Sequence, residues 1–299
     1  MESLKSLRTW KSVFVMLGLQ LLLIPTFVCA QQSDPVQDWL MTDCEVHESG
    51  QVRAELVQFG TPAVPALVAA AQQGPDASVV TQRQLDLSDA YDSVQQVLAM
   101  GGPAGLNPND VLTLKVQNRQ DFIAEDLQAF VLSYRIRALE GLGVLGDSAA
   151  VQALQQFANN SSSPDLQAVA KETLAQIFSS FSAKLESTSQ TGFELNAKFS
   201  LAANSDGINP VIETVTIQVG TAWVMIPPGS FRLNQYGRFV FEGVINGVNL
   251  EARITPLSNN NFAFNAEGSG VDLTALTNPI PVALAIGNDQ GLTTVSLQD

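Results

Sequence analysis

The stretch "RIRALEGLGVLGDSAAVQALQQFA", residues 135–158, decides the fold of the N-terminal half of the chain. Apolar residues recur at every third or fourth position both before Gly146 and after it. This is the spacing of a helix with one apolar face. Gly146 suits a helix end, because glycine accepts the left-handed conformation found there. The stretch therefore predicts two short amphipathic helices joined by a tight turn.

A second stretch, "QVRAELVQFGTPAVPALVAAA" at residues 51–71, has the same layout. An arginine-bearing helix is followed by a glycine, a short polar turn and an A-V-x-A-L segment. Gly60 and Gly146 are the matching glycines. Their separation is close to two repeats of about 40 to 47 residues, so Ser88–Met100 is interpreted as a degenerate copy between them. "SPDLQAVAKETLAQIF" predicts a further half-repeat, with Ser163 as the N-cap and Pro164 at the first helical position.

The segments "FGTPAVPALVAAA" and "LGDSAAVQALQQFA" resemble HEAT-like repeats of the type first noted in phycobilisome lyases. The resemblance implies a short α-solenoid of stacked helical pairs, which we place at residues 31–185. Stacked pairs form a continuous groove suited to protein contact. We therefore expect a protein or peptide partner on the groove of the helical repeats.

After Ser179 the hydrophobic period changes from that of helices to that of strands. "FELNAKFSL" at residues 193–201 alternates apolar and other residues, which is typical of a half-buried strand. Seven or eight such segments follow at short spacing, and Asn246-Gly247 is a strong hairpin signal. The polar run "ESTSQTG" at residues 186–192 has the composition of a linker. The pattern predicts a multidomain chain: an all-α domain, a linker, and an antiparallel β-sandwich or barrel at residues 193–299.

The β half is also similar to a domain of secreted bacterial proteins of unknown function. The matching segments are "SDGINPVIETVTIQVG", "IPPGSF", "GRFVFEGVINGVNLEARI" and "LTNPIPVALAIGNDQG". This resemblance implies export and a modular role in the bacterial envelope. It implies nothing about catalysis.

The N-terminus has the layout of a secretory signal peptide. Lys5, Arg8 and Lys11 precede an apolar run that Pro25 ends, and "VCA" at residues 28–30 offers small residues for cleavage. We predict a signal peptide at residues 1–30 and a periplasmic or extracellular location. An uncleaved anchor is the alternative, although the run is shorter than the about 20 apolar residues that a membrane span needs.

Charge and residue counts exclude several classes of function. Removing residues 1–30 changes the formal charge from −14 to −16, which opposes binding to nucleic acid or anionic lipid. Cys44 is then the only cysteine, so no intramolecular disulfide can form. His47 is the only histidine in the chain, which excludes a Ser-His-Asp triad and histidine-based zinc protease sites. We expect no enzymatic activity, with a carboxylate-only hydrolase left open.

Two groups of residues are candidate metal ligands. The first lies in the loops "NSDGINP" at residues 204–210 and "GNDQG" at residues 287–291, which are rich in oxygen ligands. Asp206, Asn209 and Glu213 are the candidates for calcium at the first loop, although Asn and Asp are also ordinary turn formers. No other cofactor is expected. The second group, Asp43, Cys44, His47 and Glu48, is either a partial metal site or a solvated helix face. The alternative function is thus an exported ligand-binding protein, calcium-assisted or carbohydrate-directed, that uses the loops of the β half.

Two further patterns have a structural and a functional interpretation. Gly141, Gly143 and Gly146 spell G-x-G-x-x-G, but a dinucleotide loop follows a strand, and here a helix precedes it. We expect no nucleotide, and infer that Gly141 and Gly143 let a neighbouring helix approach closely.

A group of aromatic residues is either a sugar-binding platform or part of the core, and the core is favoured because large aromatics dominate protein interiors. Its members are Trp223, Phe231, Tyr236, Phe239 and Phe241.

Overall fold

The computed structural model of the chain describes residues 34–42, 48–99, 117–258 and 260–296. The predicted signal peptide at residues 1–30 and the group Asp43, Cys44 and His47 lie outside these ranges. Within them, seven α-helices precede ten strands in two antiparallel sheets. The predicted order of an α-helical half followed by an antiparallel β-sandwich is confirmed.

The helices have the following bounds. They are α1 (Pro35–Met41), α2 (Glu48–Phe59), α3 (Val64–Gln73), α4 (Ala77–Ala99), α5 (Arg119–Leu145), α6 (Ser148–Asn160) and α7 (Pro164–Gln176), with a 3-10 turn at Thr61–Ala63. Ser163 caps α7 by accepting a hydrogen bond from the Leu166 backbone N–H, as predicted. Among these described helices, none is by itself long and apolar enough to span a membrane. The helices Gly50–Phe59 and Thr61–Gln73, which meet at an angle of 95°, are together long and apolar enough for a span, judged by length and composition alone.

The chain divides into two compact units. The described part of the first lies within Gly74–Tyr134 and holds α4 and the first half of α5. There the Tyr91 and Phe122 rings lie 5.4 Å apart, and Arg119 forms an ion pair with Asp92. The second unit comprises Ser33–Gln73 and Arg135–Asp299. It contains both copies of the helix–glycine–helix pattern and the entire β half.

Both copies of that pattern end their first helix at a glycine with positive φ. Gly60 and Gly146 have φ values of +69° and +55°. Their N–H groups donate to the carbonyl oxygens of Leu56 and Leu142, four residues earlier, at 2.9 and 3.0 Å. Each glycine thus ends its helix at a positive φ, as predicted for Gly146. The ψ of Gly60 is −148°, which lies outside the left-handed helical region.

The copies are direct neighbours in space, which corrects the predicted spacing of two repeats. The Thr61 hydroxyl donates to Asp147 Oδ2 at 2.6 Å, so the matching turns contact each other. The predicted degenerate copy at Ser88–Met100 is wrong, because residues 88–99 lie within the single helix α4. No glycine or proline interrupts residues 77–99, so nothing breaks this helix into a pair.

The strands form a sheet of six and a sheet of four. The six-stranded sheet has the order β1-β2-β8-β7-β6-β5, and the four-stranded sheet has the order β10-β9-β3-β4. The bounds are β1 (Ser180–Ser189), β2 (Gly192–Ser200), β3 (Val215–Val219), β4 (Ala222–Ile226), β5 (Arg232–Leu233), β6 (Phe239–Ile245), β7 (Val248–Pro256), β8 (Asn261–Ser269), β9 (Ile280–Ile286) and β10 (Asp289–Val295).

The predicted linker at residues 186–192 is wrong. Ser180–Ser189 forms β1, which pairs with β2 through a tight turn at residues 190–191. This strand is polar because it is the edge of its sheet, where one side faces solvent. The β half therefore begins at Ser180. It shares a compact unit with α1–α3 and α6–α7, so the predicted boundary between domains at residues 185 and 193 does not separate two bodies.

The core of the sandwich lies between the two sheets. Every residue of β9, "IPVALAI", is buried, whereas β7 alternates between buried and exposed positions. A strand that is buried throughout needs cover on both faces of its sheet. For the four-stranded sheet, helices supply the second cover.

Candidate binding surfaces

Helix α2 is fixed to the outer face of the four-stranded sheet by a buried amide. Gln218 of β3 is 3% exposed. Its Nε2 donates to the Ala54 carbonyl of α2 at 2.9 Å and to the Gly220 carbonyl at 2.8 Å. The small side chains of Ala283 and Ala285 on β9 lie on the same face, since they pair with Gln218 and Thr216. This face can therefore accept a helix at close range.

A second polar contact joins α2 to β10. Arg53 Nη1 donates to Gln290 Oε1 at 2.8 Å. Burial lowers the pKa of Arg53 to about 10, which leaves the guanidinium charged at neutral pH. A Cβ on Gly143 of α5 would collide with Thr173 Cγ2 of α7 and come within 3.3 Å of Gln290 Nε2. Gly143 thus permits three elements to meet.

Gly141 has the same kind of role on the opposite side of α5. A Cβ there would lie 2.6 Å from Trp39 Nε1 of α1 and 3.1 Å from Leu67 Cδ2 of α3. The Trp39 indole donates to the Arg137 carbonyl at 2.8 Å. The inference of close helix approach is confirmed for Gly141 and Gly143. Both glycines lie inside α5, not after a strand, so the motif lacks the context of a dinucleotide loop.

An apolar groove of roughly 510 Å³ lies between α2 and β4. Its lining consists of Pro35, Gln51, Ala54, Glu55, Gln58, Phe59, Thr221 and Trp223. Phe59 is 44% exposed. The Trp223 ring packs on Gly50, where an added Cβ would lie 2.7 Å from Trp223 Cη2. The groove is thus a preformed concave surface with two accessible aromatic side chains.

Acidic side chains border this α2–β4 groove. Glu55 lines it and accepts a hydrogen bond from Gln51 Nε2 at 2.9 Å. Burial raises the pKa of Asp38 in α1 above its usual range, and the negative charges of Glu55 and Asp34 add to the effect. Among the described residues that line the groove, none is lysine or arginine. The groove is therefore apolar at its centre and negative at its border.

The outer face of the six-stranded sheet carries a row of four glutamates. Glu194 pairs with Glu267, Glu267 with Glu251, and Glu251 with Glu242, across four adjacent strands. All four are exposed. Side chains directly opposite on neighbouring strands lie about 5 Å apart, and like charges there are destabilising. We call this set the glutamate row; it borders a shallow concavity of about 310 Å³.

The structure places the calcium candidates in one loop, where two of them already accept hydrogen bonds from the loop backbone. Glu213 Oε2 accepts a hydrogen bond from the Asn209 backbone N–H at 2.6 Å, and Asn209 Oδ1 accepts one from Val211 N–H. Asp206 interacts electrostatically with Asp289. Within the described residues, no group of three or more His, Cys, Asp or Glu side chains is arranged to hold a metal ion.

Asp289 is a buried carboxyl beside that loop. It is 1% exposed, and Ser205 Oγ donates to its Oδ2 at 3.1 Å. Its Oδ1 is buried without a hydrogen-bond partner among the described residues. Burial raises the pKa of Asp289 to about 6, and the charges of Asp206 and Glu213 add to the effect, while the Ser205 hydrogen bond opposes it. The sequence places this residue in the oxygen-rich loop "GNDQG" but does not single it out, because nothing there distinguishes it from a turn aspartate.

The predicted aromatic group does not form one platform. Phe231 and Phe241 are buried, with ring centroids 5.8 Å apart, and Phe239 packs against the core. Tyr236 is 73% exposed. Trp223 lies in the α2–β4 groove. Burial is thus the correct interpretation for the phenylalanines, and a sheet-to-helix contact explains the tryptophan.

Comparison with known proteins gives one match. A family model described as the PBS lyase HEAT-like repeat matches residues 134–160, which comprise the last part of α5, the Gly146 turn and α6. No curated protein and no solved structure matches the chain. The predicted HEAT-like resemblance is confirmed for this copy, and such repeats suggest a scaffold for protein interaction. The resemblance of the β half to a secreted bacterial domain stays a prediction.

Proposed function

We propose that this chain is an exported, non-enzymatic scaffold of the bacterial envelope that binds another protein. The observation that carries the proposal is the α2–β4 groove, an apolar concavity beside the HEAT-like helical pairs. Exposed apolar surface rimmed by polar groups marks interaction sites in many proteins. The leader-like sequence at residues 1–30 and the single histidine of the chain support export and the absence of catalysis.

Site-specific photo-crosslinking in living cells tests the scaffold proposal. A photoreactive amino acid is placed singly at Gln58 on the groove, at Gln152 on α6 and at Glu251 in the glutamate row, all of them exposed. We expect a discrete crosslinked partner from at least one of these positions. Absence of a partner at all three would refute the scaffold function.

Edman sequencing of the exported protein, with Gln31 expected as the first residue, tests cleavage of the leader.

A ligand-binding function that uses the loops of the β half is the second candidate. The buried Oδ1 of Asp289, which has no hydrogen-bond partner in the described part of the chain, favours this candidate, as do the neighbouring charges of Asp206 and Glu213. Calcium binding there requires Glu213 to give up its hydrogen bond from Asn209 N–H. A rise in melting temperature with millimolar calcium, lost in Asp289→Asn, is the expected result. Calcium titration without heat or stabilisation would remove this candidate, and a glycan array would test its carbohydrate-directed form.

A further inference from the structure

We propose that the α2–β4 groove binds an extended peptide segment of a partner protein, in which one large apolar side chain is flanked by lysine or arginine residues. The inference rests on the proposed scaffold function and specifies the chemistry of the partner. Four properties of the groove carry it: its apolar walls, its rigidity, the sign of the charges around it and the free edge of β4.

The apolar walls can hold a large apolar side chain. Phe59, Trp223, Ala54 and Pro35 all belong to the lining. The volume of roughly 510 Å³ lies in the range of about 300–1,000 Å³ that is usual for small-ligand pockets. Buried aromatic contacts at the centre of an interface contribute most of its binding energy. An apolar anchor in the peptide therefore has a suitable receptor.

The groove is held in shape before any partner arrives. Trp223 rests on the backbone of α2 at Gly50, and Gln218 ties α2 to the sheet at Ala54. The Arg53–Gln290 hydrogen bond fixes the same helix at a second point. Binding to a rigid site avoids the entropic cost of ordering it. The groove can thus bind a short segment with useful affinity.

The charges around the groove select a basic partner. Glu55 lies in the lining, Asp34 directly precedes the lining residue Pro35, and the charges of both carboxylates act on Asp38. Asp34 is additionally the cap of α1, accepting from the Val36 N–H at 3.0 Å. A lysine or arginine on each side of the anchor would face these carboxylates. Complementary charge of this kind raises association rates and excludes acidic competitors.

The position of β4 favours an extended peptide. In the described part of the chain β4 is the last strand of its sheet, with β3 on one side only. Its free edge offers main-chain N–H and C=O groups to a further strand. Thr221 and Trp223, at the start of this strand, already line the groove. A peptide that extends along β4 can therefore place alternate side chains into it.

Fluorescence polarisation with labelled nine-residue peptides tests the proposal on the chain from Gln31 to Asp299. The probes have leucine, phenylalanine or serine at the centre, two lysines or two glutamates on each side, and glycine or serine elsewhere. Lysine-flanked peptides with leucine or phenylalanine are expected to bind. Serine-centred and glutamate-flanked peptides are expected to bind at least tenfold more weakly, a difference of about 1.4 kcal/mol.

Two variants and two matched controls locate the binding. Glu55→Lys and Phe59→Ser are each expected to weaken binding about five- to tenfold. Glu172→Lys makes the same change as Glu55→Lys, and Leu85→Ser likewise replaces an exposed large apolar side chain with serine. Both positions are exposed and outside the groove lining, so both variants are expected to leave binding unchanged. Circular dichroism checks that every variant is folded.

The outcomes separate this inference from the scaffold function. Equal binding of leucine- and serine-centred peptides, or binding that Glu55→Lys leaves unchanged, would overturn it. Self-association of the chain that Phe59→Ser abolishes, without peptide binding, would overturn it in favour of a second copy as the occupant. If photo-crosslinking gives a partner at Gln152 or Glu251 but not at Gln58, the scaffold function stands and the groove inference fails.

Discussion

The outer faces of the two sheets differ in what covers them. On the four-stranded sheet, Ala283 is 3% and Gln218 is 3% exposed, because helix α2 lies over this face. On the six-stranded sheet, the glutamate row is exposed to solvent. One face has polar groups that are buried and hydrogen-bonded to helices, and the other has solvated polar groups, among them glutamates that lie opposite one another on neighbouring strands.

This difference shows that the helical repeats and the β half depend on each other. A sheet with two buried faces cannot expose its outer alanines and amides without losing apolar burial and leaving polar groups unpaired. The helices of the second unit therefore complete the sandwich as a third layer. We expect substitutions at the covered face to change stability by several kcal/mol and substitutions at the open face to change it by less than one.

The largest effect is expected for Gln218→Leu, which removes the amide between α2 and the covered sheet. The Gly220 carbonyl loses its buried donor, which costs about 1–3 kcal/mol. The Ala54 carbonyl lies inside α2 and keeps its helix partner, the Gln58 N–H, but loses the hydrogen bond from Gln218, at about 1 kcal/mol. We expect the free energy of unfolding to fall by about 3 kcal/mol, measured by urea denaturation. Gln155→Leu, on the exposed face of α6, is the control. Equal loss in both variants would show that the amide does not fix α2.

The next effect is expected for Asp289→Asn, and it depends on pH. The folded state raises the pKa of Asp289 from 3.8 to about 6, so the folded protein binds the proton more tightly than the unfolded chain. The carboxyl therefore lowers stability as the pH rises from about 4 through 6, by as much as about 3 kcal/mol at 1.36 kcal/mol per pKa unit.

Asp289→Asn should accordingly stabilise the protein above pH 6 and change its stability little near pH 4. Urea midpoints measured from pH 4 to pH 8 check this expectation. Glu172→Gln, at an exposed position of α7, should show no such pH dependence. A constant difference between Asp289→Asn and the wild type at all pH values would contradict it.

Gly143→Ala tests the close approach of α5 and α7 beneath the covered sheet. In an exposed helix this change stabilises by about 1 kcal/mol. Here the new methyl group collides with Thr173 Cγ2, so we expect a loss of about 2 kcal/mol from overpacking. Thr173→Ser removes that carbon, and the double variant should recover most of the loss in a double-mutant cycle. Additive effects would place the strain elsewhere.

The smallest effect is expected on the open sheet, for Glu267→Gln. Glu267 pairs with two other glutamates, Glu194 and Glu251, so neutralising it removes two like-charge contacts. We expect a gain of about 0.5 kcal/mol at low salt that shrinks in 1 M NaCl, where screening is strong. Glu172→Gln again serves as the control. A loss of stability in Glu267→Gln would show that the row is not repulsive.

Local signals predicted much of the helical half. The turns at Gly60 and Gly146 follow from helix periodicity and from the freedom of glycine to adopt positive φ. Periodicity failed at Ser88–Met100, since an uninterrupted helix and a degenerate helical pair have similar apolar spacing. It failed again at residues 186–192, because a polar edge strand and a linker have the same composition.

The candidate sites were harder to predict than the fold. The glutamate row requires the register of four strands, which no single strand reveals. Gln218 and Trp223 gain their roles from contacts with α2, more than 160 residues earlier in the chain. The calcium candidates Asp206, Asn209 and Glu213 share a loop as their spacing implies, yet the side chains of Asn209 and Glu213 accept hydrogen bonds from backbone N–H groups of that loop.

The sequence by itself determined the type of each segment: amphipathic helices before Ser179, alternating strands after it, and glycines where helices end. These properties depend on neighbours within a few residues, which is why periodicity and turn chemistry suffice. The tertiary structure alone decided that the two helix–glycine–helix copies are neighbours, that helices cover one sheet and leave the other open, and that an apolar groove forms between α2 and β4. Each of these depends on contacts between residues far apart in the chain, whose pairing a local pattern does not encode.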